Sequence, residues 1–345
     1  MISKKKKTVL IGFGSVAAGI AKDKKMAHYI KYQTHAQVLK DHPDFDWLGV
    51  VDPNSEARKE AREVWGVPHA VASADELQGL FEPEVAVIST RPDVRLKIIK
   101  QLPSVKAVIV EKPLGYNLKE AKCFVDVCRQ RKIKTQVNLF RRSEETYKLL
   151  DFEKLVGKPQ AIFVVYGNGI RNNAVHIIDV IQMLFGEIKS AQALGPSIPL
   201  KAPVVHGDIN IPFSVRLPNN ATATFLPVDF SHYRDVVLDI WGENGRLEIF
   251  QEGLFVRHSP IREHRALEGH NEIAMDEPVN LPSQCGTAYY ALYDNLIKHL
   301  NGEEKLDSPA ENALTSELIP EAVVISEKNG GKPVDIDEMM TQLFD

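Results

Sequence analysis

Three cysteines in 345 residues, Cys123, Cys128 and Cys285, are too few for a disulfide framework. Cys123 and Cys128 fall in a helical pattern, where a thiol serves as a small apolar side chain. Such usage suits a reducing, cytoplasmic compartment. No segment approaches the roughly 18 unbroken apolar residues of a membrane span, so no membrane partner is expected. A net charge of −4 removes any overall electrostatic case for a nucleic-acid partner. GxSxG, HExxH and Walker A patterns are all missing, which sets aside the corresponding hydrolase, zinc-protease and nucleotide-hydrolysis chemistries. His258, His264 and His270 recur every six residues, a spacing that fits no single helix or strand face, and no metal site is expected. There is no internal repeat.

What is present is ordinary for a soluble globular protein: 44% hydrophobic and 26% charged residues. The length exceeds one typical core, so two domains are the default. The opening "KKKKTVLIGFGSVAAGIAKD" admits two readings. One is a secretory leader. The other, preferred here, is a short basic tail at Lys4–Lys7, then a buried strand running into a glycine-rich turn.

Residues 1–140 alternate strands and helices. "TVLIGFG", "DWLGVVDPN", "EVAVISTRP", "VKAVIVEKP" and "KTQVNLF" are apolar runs closed by turn residues. Between them lie "THAQVLKDHPDF", "SEARKEAREVWG" with Ser55 as N-cap, "DVRLKIIKQL" and "NLKEAKCFVDVCRQRK", all with helical spacing. This alternation predicts a doubly wound parallel sheet, the Rossmann arrangement. After about residue 150 the pattern changes. A strand "PQAIFVVYGN" and a helix "NNAVHIIDVIQMLFG" precede two hairpins, turning at Pro218–Asn220 and at "ENG". "IREHRALEGHNE" reads as a polar loop, and the last segments are helical, one capped by Ser308 and closed by Gly330. The expected division is therefore 1–140 and 141–345, an α/β domain and an α+β domain with a large open, mainly antiparallel sheet.

Two constellations in the first domain carry chemistry. Gly12, Phe13, Gly14, Ser15 and Val16, with Ala17, form a GxGxxA turn directly after a strand. The first glycine permits the turn, the second lets a diphosphate approach the backbone, and the small Ala17 lets helix and strand pack. The diphosphate is expected at a helix N-terminus. Asp52 ends the second strand and can accept from ribose hydroxyls, which favours NAD over NADP because a carboxylate repels a 2′-phosphate. It lies forty residues after Gly12, against a usual gap of about 20, and "KDKKMAHYIKY" accounts for the excess by lengthening the first helix region. Second, "AVIVEKPLG" sets Glu111, Lys112 and Pro113 at the carboxyl end of a parallel strand, where open α/β sheets bind ligands. A lysine there can hold a substrate hydroxyl and stabilise a developing alkoxide. Pro113 could follow a cis bond.

With "IGFGSVAAG", "VVDPN", "VISTRPDVR", "VEKPLG", "VNLFRR", "HIIDVIQMLFG" and "GENGRLEI" in this order, the chain resembles the glucose–fructose oxidoreductase/inositol dehydrogenase/rhizopine-catabolism (Gfo/Idh/MocA) family along essentially its whole length. The resemblance implies an N-terminal Rossmann domain, a C-terminal open-sheet domain, and NAD(P)-dependent oxidation or reduction of sugars, cyclitols or nucleotide-sugars. It implies that Thr90 and Arg91 border the nicotinamide ribose, that Glu111 and Lys112 line cofactor and substrate, and that Asn138 and Arg141 contact substrate.

"RNNAVHIID" puts Asn172, His176, Asp179 and Met183 at helical offsets of four, seven and eleven. The resemblance makes His176 the proton acceptor opposite Lys112, and an unperturbed imidazole, with a pKa near ~6.5, suits that exchange. Many relatives carry Asp where this chain has Asn172. An amide can hydrogen-bond a substrate hydroxyl but cannot raise a neighbour's basicity as a carboxylate does. Two readings follow: an NAD-dependent sugar or nucleotide-sugar dehydrogenase using Lys112, His176 and Asn172, or a catalytically weak member that binds NAD as a sensor. The strand-to-helix link is short, so Tyr166, Asn168 and Arg171 are expected to share in substrate binding. Arg91, Arg95, Arg141 and Arg171 could form a positive mouth, or be solvated surface residues. An open sheet with one uncovered face predicts a homodimer or homotetramer.

Overall fold

The computed structural model describes residues 5–344 and divides into two compact units. The first joins Met1–Glu144 to Gly286–Leu314, and the second joins Glu145–Cys285 to Thr315–Asp345. The expected cut near residue 140 thus overlooks a return of the chain. The helix Ala288–Leu300 causes it: Tyr289, Leu292, Tyr293, Leu296 and Ile297 are buried in one cluster with Leu10, Val38, Leu39 and Val50. An amphipathic helix goes where its apolar stripe is covered, and sequence position does not fix that place.

In the first unit, six parallel strands take the order β3-β2-β1-β4-β5-β6. They are β1 (Lys6–Ile11), β2 (Phe45–Val51), β3 (His69–Val71), β4 (Val85–Ile88), β5 (Ala107–Val110) and β6 (Lys134–Val137). Every residue of β4 and β5 is buried, as apolar strands covered on both faces must be. Strand order reverses beside β1, so the ligand crevice of such a sheet opens at the carboxyl ends of β1 and β4. Lys6 and Lys7 belong to β1, paired with Phe45 and Asp46, and are not a tail; Lys4 lies outside the described residues. Asn54, not Ser55, caps the helix Ser55–Glu63, its side chain accepting from the Glu56 N–H. The edge of β6 is covered: Val137 N–H donates to the Ser308 carbonyl at 2.8 Å.

The second unit is a ten-stranded sheet around β7 (Pro159–Tyr166). β7 runs parallel to Thr222–Pro227 and antiparallel to Val237–Gly242. The remaining pairings are antiparallel, including both hairpins expected from the sequence. One face packs against the helices Val175–Phe185 and Ala310–Lys328 through Ile177, Ile178, Ile181, Ile319 and Val323. The other face exposes Phe163 and Leu226 beside a ladder of alternating charges, Asp239, Arg246, Glu248 and Arg257. The segment expected as a polar loop is instead a hairpin, because Ile261–Glu263 pairs with Asn271–Ile273. The cross-strand pair Arg262–Glu272, at 2.8 Å, replaces the apolar alternation that would have announced it.

Candidate functional site

Gly12 directly follows β1 with φ +83°, and a Cβ there would stand 2.6 Å from the Ser89 carbonyl oxygen and 2.9 Å from Thr90 Cγ2. The turn therefore lies directly against the end of β4, and only glycine allows it. A Cβ on Gly14 would meet nothing within 4 Å, so its backbone faces open space. Ser15 and Val16 are exposed, while Ala17 is fully buried. The buried Thr90 hydroxyl finds no partner among the described residues. An open backbone turn with an orphaned hydroxyl beside it fits a bound dinucleotide. Asp52 ties the turn to β2, its carboxylate accepting from the N–H of Phe13 at 2.6 Å and of Asn54 at 2.8 Å.

The expected helix N-terminus at this turn is not there. A single helical turn, closed by Ala18 N–H to the Gly14 carbonyl and Ile20 N–H to the Ser15 carbonyl, gives way to an excursion with a one-turn helix at Met26–Tyr29. The regular helix starts only at His35, and its own end is closed. Thr34 and Gln37 form a reciprocal capping box, and Ala36 N–H donates to the Ala17 carbonyl. Those N–H groups are taken by protein, so the donors left for an anion belong to the short turn itself.

The ends of β4 and β5 are joined by Arg95, which the sequence suggested for a positive mouth. It is 2% exposed. Its guanidinium donates to the Thr90 carbonyl (3.1 and 2.6 Å) and to the Pro113 carbonyl (2.5 Å). A planar fork of five N–H donors can span two carbonyls in this way. The Lys112–Pro113 bond is cis, and Lys112 is half-buried. Glu111 beside it is almost fully buried. Its Oε1 accepts from Asn138 Nδ2 (2.5 Å) and the Tyr289 hydroxyl (3.1 Å) and meets His35 Nε2 at 3.1 Å. His35 Nδ1 in turn meets the Tyr293 hydroxyl at 2.5 Å. Burial pushes the Glu111 carboxyl up, but the hydrogen bond and charge of His35, with Asn138 and Lys112, hold it below the usual carboxylate range. Asn138, expected at the substrate, is 3% exposed and spends its amide N–H groups on Glu111 and Tyr289. Arg141 is buried as well, over the Phe140 ring. Of the four arginines read as a mouth, Arg91 is the exposed one, 3.6 Å from Asp93.

In the second unit, residues 173–182 are all buried except His176. Ile170–Ala174 form a π-helical turn before the helix Val175–Phe185, a feature that often marks functional sites. Asn172 and His176 thus straddle a change of helix type. Asn172 Nδ2 donates to the Asn168 carbonyl at 3.2 Å. Asp179 is fully buried and accepts from the Ser316 hydroxyl at 2.8 Å.

Tyr166 is fully buried in the core, with its hydroxyl donating to the Ile211 carbonyl and accepting from the Ile211 N–H. Arg171 is committed to Glu321 at 2.5 Å. Asp208, in a loop the sequence left unmarked, closes the start of the π turn. Its carboxylate accepts from the N–H of Arg171 (3.1 Å), Asn172 (2.9 Å) and Ile209 (3.0 Å). His35, Tyr289 and Asp208 were missed because each acts through partners far away along the chain. His258 is structural, with Nε2 on the Leu155 carbonyl, and no metal-holding group of three or more His, Cys, Asp or Glu occurs among the described residues.

Two models of one family match most of the chain. A model of an oxidoreductase family with an NAD-binding Rossmann fold matches residues 27–139, and the C-terminal α/β domain model of the same family matches residues 170–336. The first match begins inside the excursion, so the glycine turn lies outside it. No curated protein matches significantly. Solved structures share the fold. An oxidoreductase from Agrobacterium radiobacter, in complex with NAD+, L-tartaric acid and magnesium, has a TM-score of 0.72 at 16% identity, covering 97% of this chain and all (100%) of that one. The WlbA dehydrogenase from Bordetella pertussis, in complex with NADH and UDP-GlcNAcA, has 0.70 at 15% identity, covering 96% and 99%. The scyllo-inositol dehydrogenase from Lactobacillus casei, with NAD(H) and scyllo-inositol, has 0.69 at 17% identity, covering 97% and 100%.

Proposed function

The chain belongs to the Gfo/Idh/MocA family of oxidoreductases, and on that footing we propose that it is an NAD-dependent dehydrogenase or reductase of a secondary hydroxyl or ketone on a sugar, cyclitol or nucleotide-sugar. The observation that carries this reading is the unbroken line of contacts across the carboxyl ends of β1, β4 and β5. It runs from Gly12 against Ser89 and Thr90, through Arg95, to Pro113 next to Lys112. The substrate class is drawn from the scyllo-inositol and UDP-GlcNAcA bound by the neighbours.

In this proposal the backbone of Gly12–Ala17 holds the diphosphate, with Phe13, Ser15 and Val16 beside it. Asp52 takes the ribose hydroxyls, and Thr90, Arg91 and Glu111 border the nicotinamide end. A nicotinamide dinucleotide, when bound, supplies the hydride acceptor or donor. The Lys112 ammonium donates to the reacting oxygen and stabilises the alkoxide that develops as its proton leaves. His176 takes that proton, a task for a side chain that as a class titrates near neutrality. Asn172 orients the same hydroxyl through its amide. Asp52 supports NAD over NADP. We place the protein in the cytoplasm on its cysteine usage, three thiols in 345 residues. The outer sheet face bearing Phe163 and Leu226 is the surface we assign to a homodimer or homotetramer.

Lys112→Ala is the direct test. Measured by NADH absorbance on a substrate found by screening polyols and uridine-diphosphate sugars, it should lower kcat by about a hundredfold or more while NADH binding persists. Turnover at the parent rate would overturn the assignment. A second reading, an NAD-binding sensor with little turnover, is favoured by Asn172 standing where a carboxylate is common. It predicts tight NADH binding and no substrate in the same screen.

A further inference from the structure

Both sequence neighbours of Lys112 are held by buried groups. Pro113, after it, gives its carbonyl to Arg95, which also grips the Thr90 carbonyl at the end of β4. Glu111, before it, gives Oε1 to Tyr289, Asn138 and His35. We propose that Arg95 and the His35–Tyr289 pair are positioning residues for Lys112: they fix the backbone on either side of it and so set where its ammonium stands. The inference rests on the reading that Lys112 orients the reacting hydroxyl.

The construction of the two clamps supports this role. His35 is fully buried and Arg95 nearly so, and a buried charged or polar group is costly unless its hydrogen bonds are made. An apolar core would fill the same volume without that cost. The clamps also draw on distant parts of the chain. His35 opens the helix that follows the excursion, Asn138 follows β6, and Tyr289 and Tyr293 lie one turn apart on Ala288–Leu300. All of these converge on the residue before Lys112. Burial raises both tyrosine hydroxyls well above their ordinary range, so they stay protonated donors across the working pH range. Arg95 binds carbonyls at two different strand ends, which a lysine's single ammonium cannot span with the same geometry.

The test reads Lys112 itself, so it does not need the substrate. Competitive acylation with mass-spectrometric readout gives the reactivity of Lys112 relative to the exposed Lys24, with melting temperature recorded in parallel. Tyr289→Phe keeps the ring and deletes one donor to Glu111. Arg95→Met deletes the other clamp, and Arg95→Lys keeps only its charge. His35→Gln retains groups able to meet both Glu111 and Tyr293. In Tyr289→Phe and Arg95→Met the relative reactivity of Lys112 should change by about threefold or more, equivalent to half a pKa unit. His35→Gln should stay nearer the parent. Where a substrate is in hand, kcat should fall by about tenfold or more with KM for NADH little changed, since a misplacement near 1 Å costs about a hundredfold. Should Arg95→Met fail to fold, Tyr289→Phe carries the test. Folded variants with parental Lys112 reactivity would overturn the proposal. Lys112→Ala at the parental rate would instead overturn the catalytic role of Lys112, an outcome the labelling experiment distinguishes.

Discussion

Replacing Gly169 with alanine should unseat the turn that begins the Asn172–His176 helix. Gly169 has φ +100° and ψ 147°, a region essentially closed to residues with a Cβ. Forcing alanine into it costs about 1–3 kcal/mol. The added Cβ would also stand 1.9 Å from Asp208 Oδ2, so the carboxylate must move. Asp208 is 3% exposed and cannot simply swing into water. Moving it abandons the N–H groups of Arg171 and Asn172, and a buried donor left unsatisfied costs about 1–3 kcal/mol. One term runs the other way. Desolvation pushes the Asp208 carboxyl above its ordinary range despite its backbone hydrogen bonds, so releasing it recovers part of its burial cost. The lower end of the sum, about 3 kcal/mol, is therefore the expected loss. Gly207→Ala is the control. Its φ is +71° but its Cβ would meet nothing within 4 Å, so only the left-handed backbone penalty of about 1–2 kcal/mol applies. Equilibrium urea unfolding of both variants separates clash from conformation. A Gly169→Ala loss no larger than that of Gly207→Ala would refute the argument that Asp208 is wedged against this turn.

Three further outcomes follow from the same geometry. NADH should bind about tenfold or more tightly than NADPH by fluorescence titration, and Asp52→Ala should narrow the gap; a preference for NADPH would remove Asp52 from the ribose site. Glu111, held below its ordinary value of 4.5, contributes stability that is present above that value and lost as pH falls through its folded pKa. Glu111→Gln should therefore flatten the dependence of the urea midpoint on pH below about 4.5, and an unchanged acid limb would exclude the His35–Glu111 interaction as its source. Light scattering at micromolar concentration should give a dimer or tetramer, with Phe163→Asp shifting it toward monomer; a monomeric parent would leave the exposed sheet face unexplained.

What the sequence disclosed was whatever one segment determines by itself. Apolar runs such as "AVIV" declare a strand buried on both faces, and GxGxxA declares a turn that only glycines permit. Both were legible because steric and hydrophobic rules act within a few residues. The hairpin at 261–273 was not, because an Arg262–Glu272 pair does the work of apolar alternation, and a charge pair across strands leaves no period in the sequence. Tyr166 and Arg171 illustrate a related point. Polarity made them look available, but their partners, Ile211 and Glu321, lie 45 and 150 residues away. The support for Lys112 is more dispersed still. "EKP" named the lysine, yet His35, Asn138 and Tyr289 come from three separate elements and share one oxygen of Glu111. The return of residues 286–314 to the first unit is part of the same problem. That helix looks like any amphipathic helix until its buried tyrosine hydroxyls find a carboxylate and a histidine. A local pattern can therefore identify the reacting group, but the network that fixes its position exists only after the chain has closed on itself.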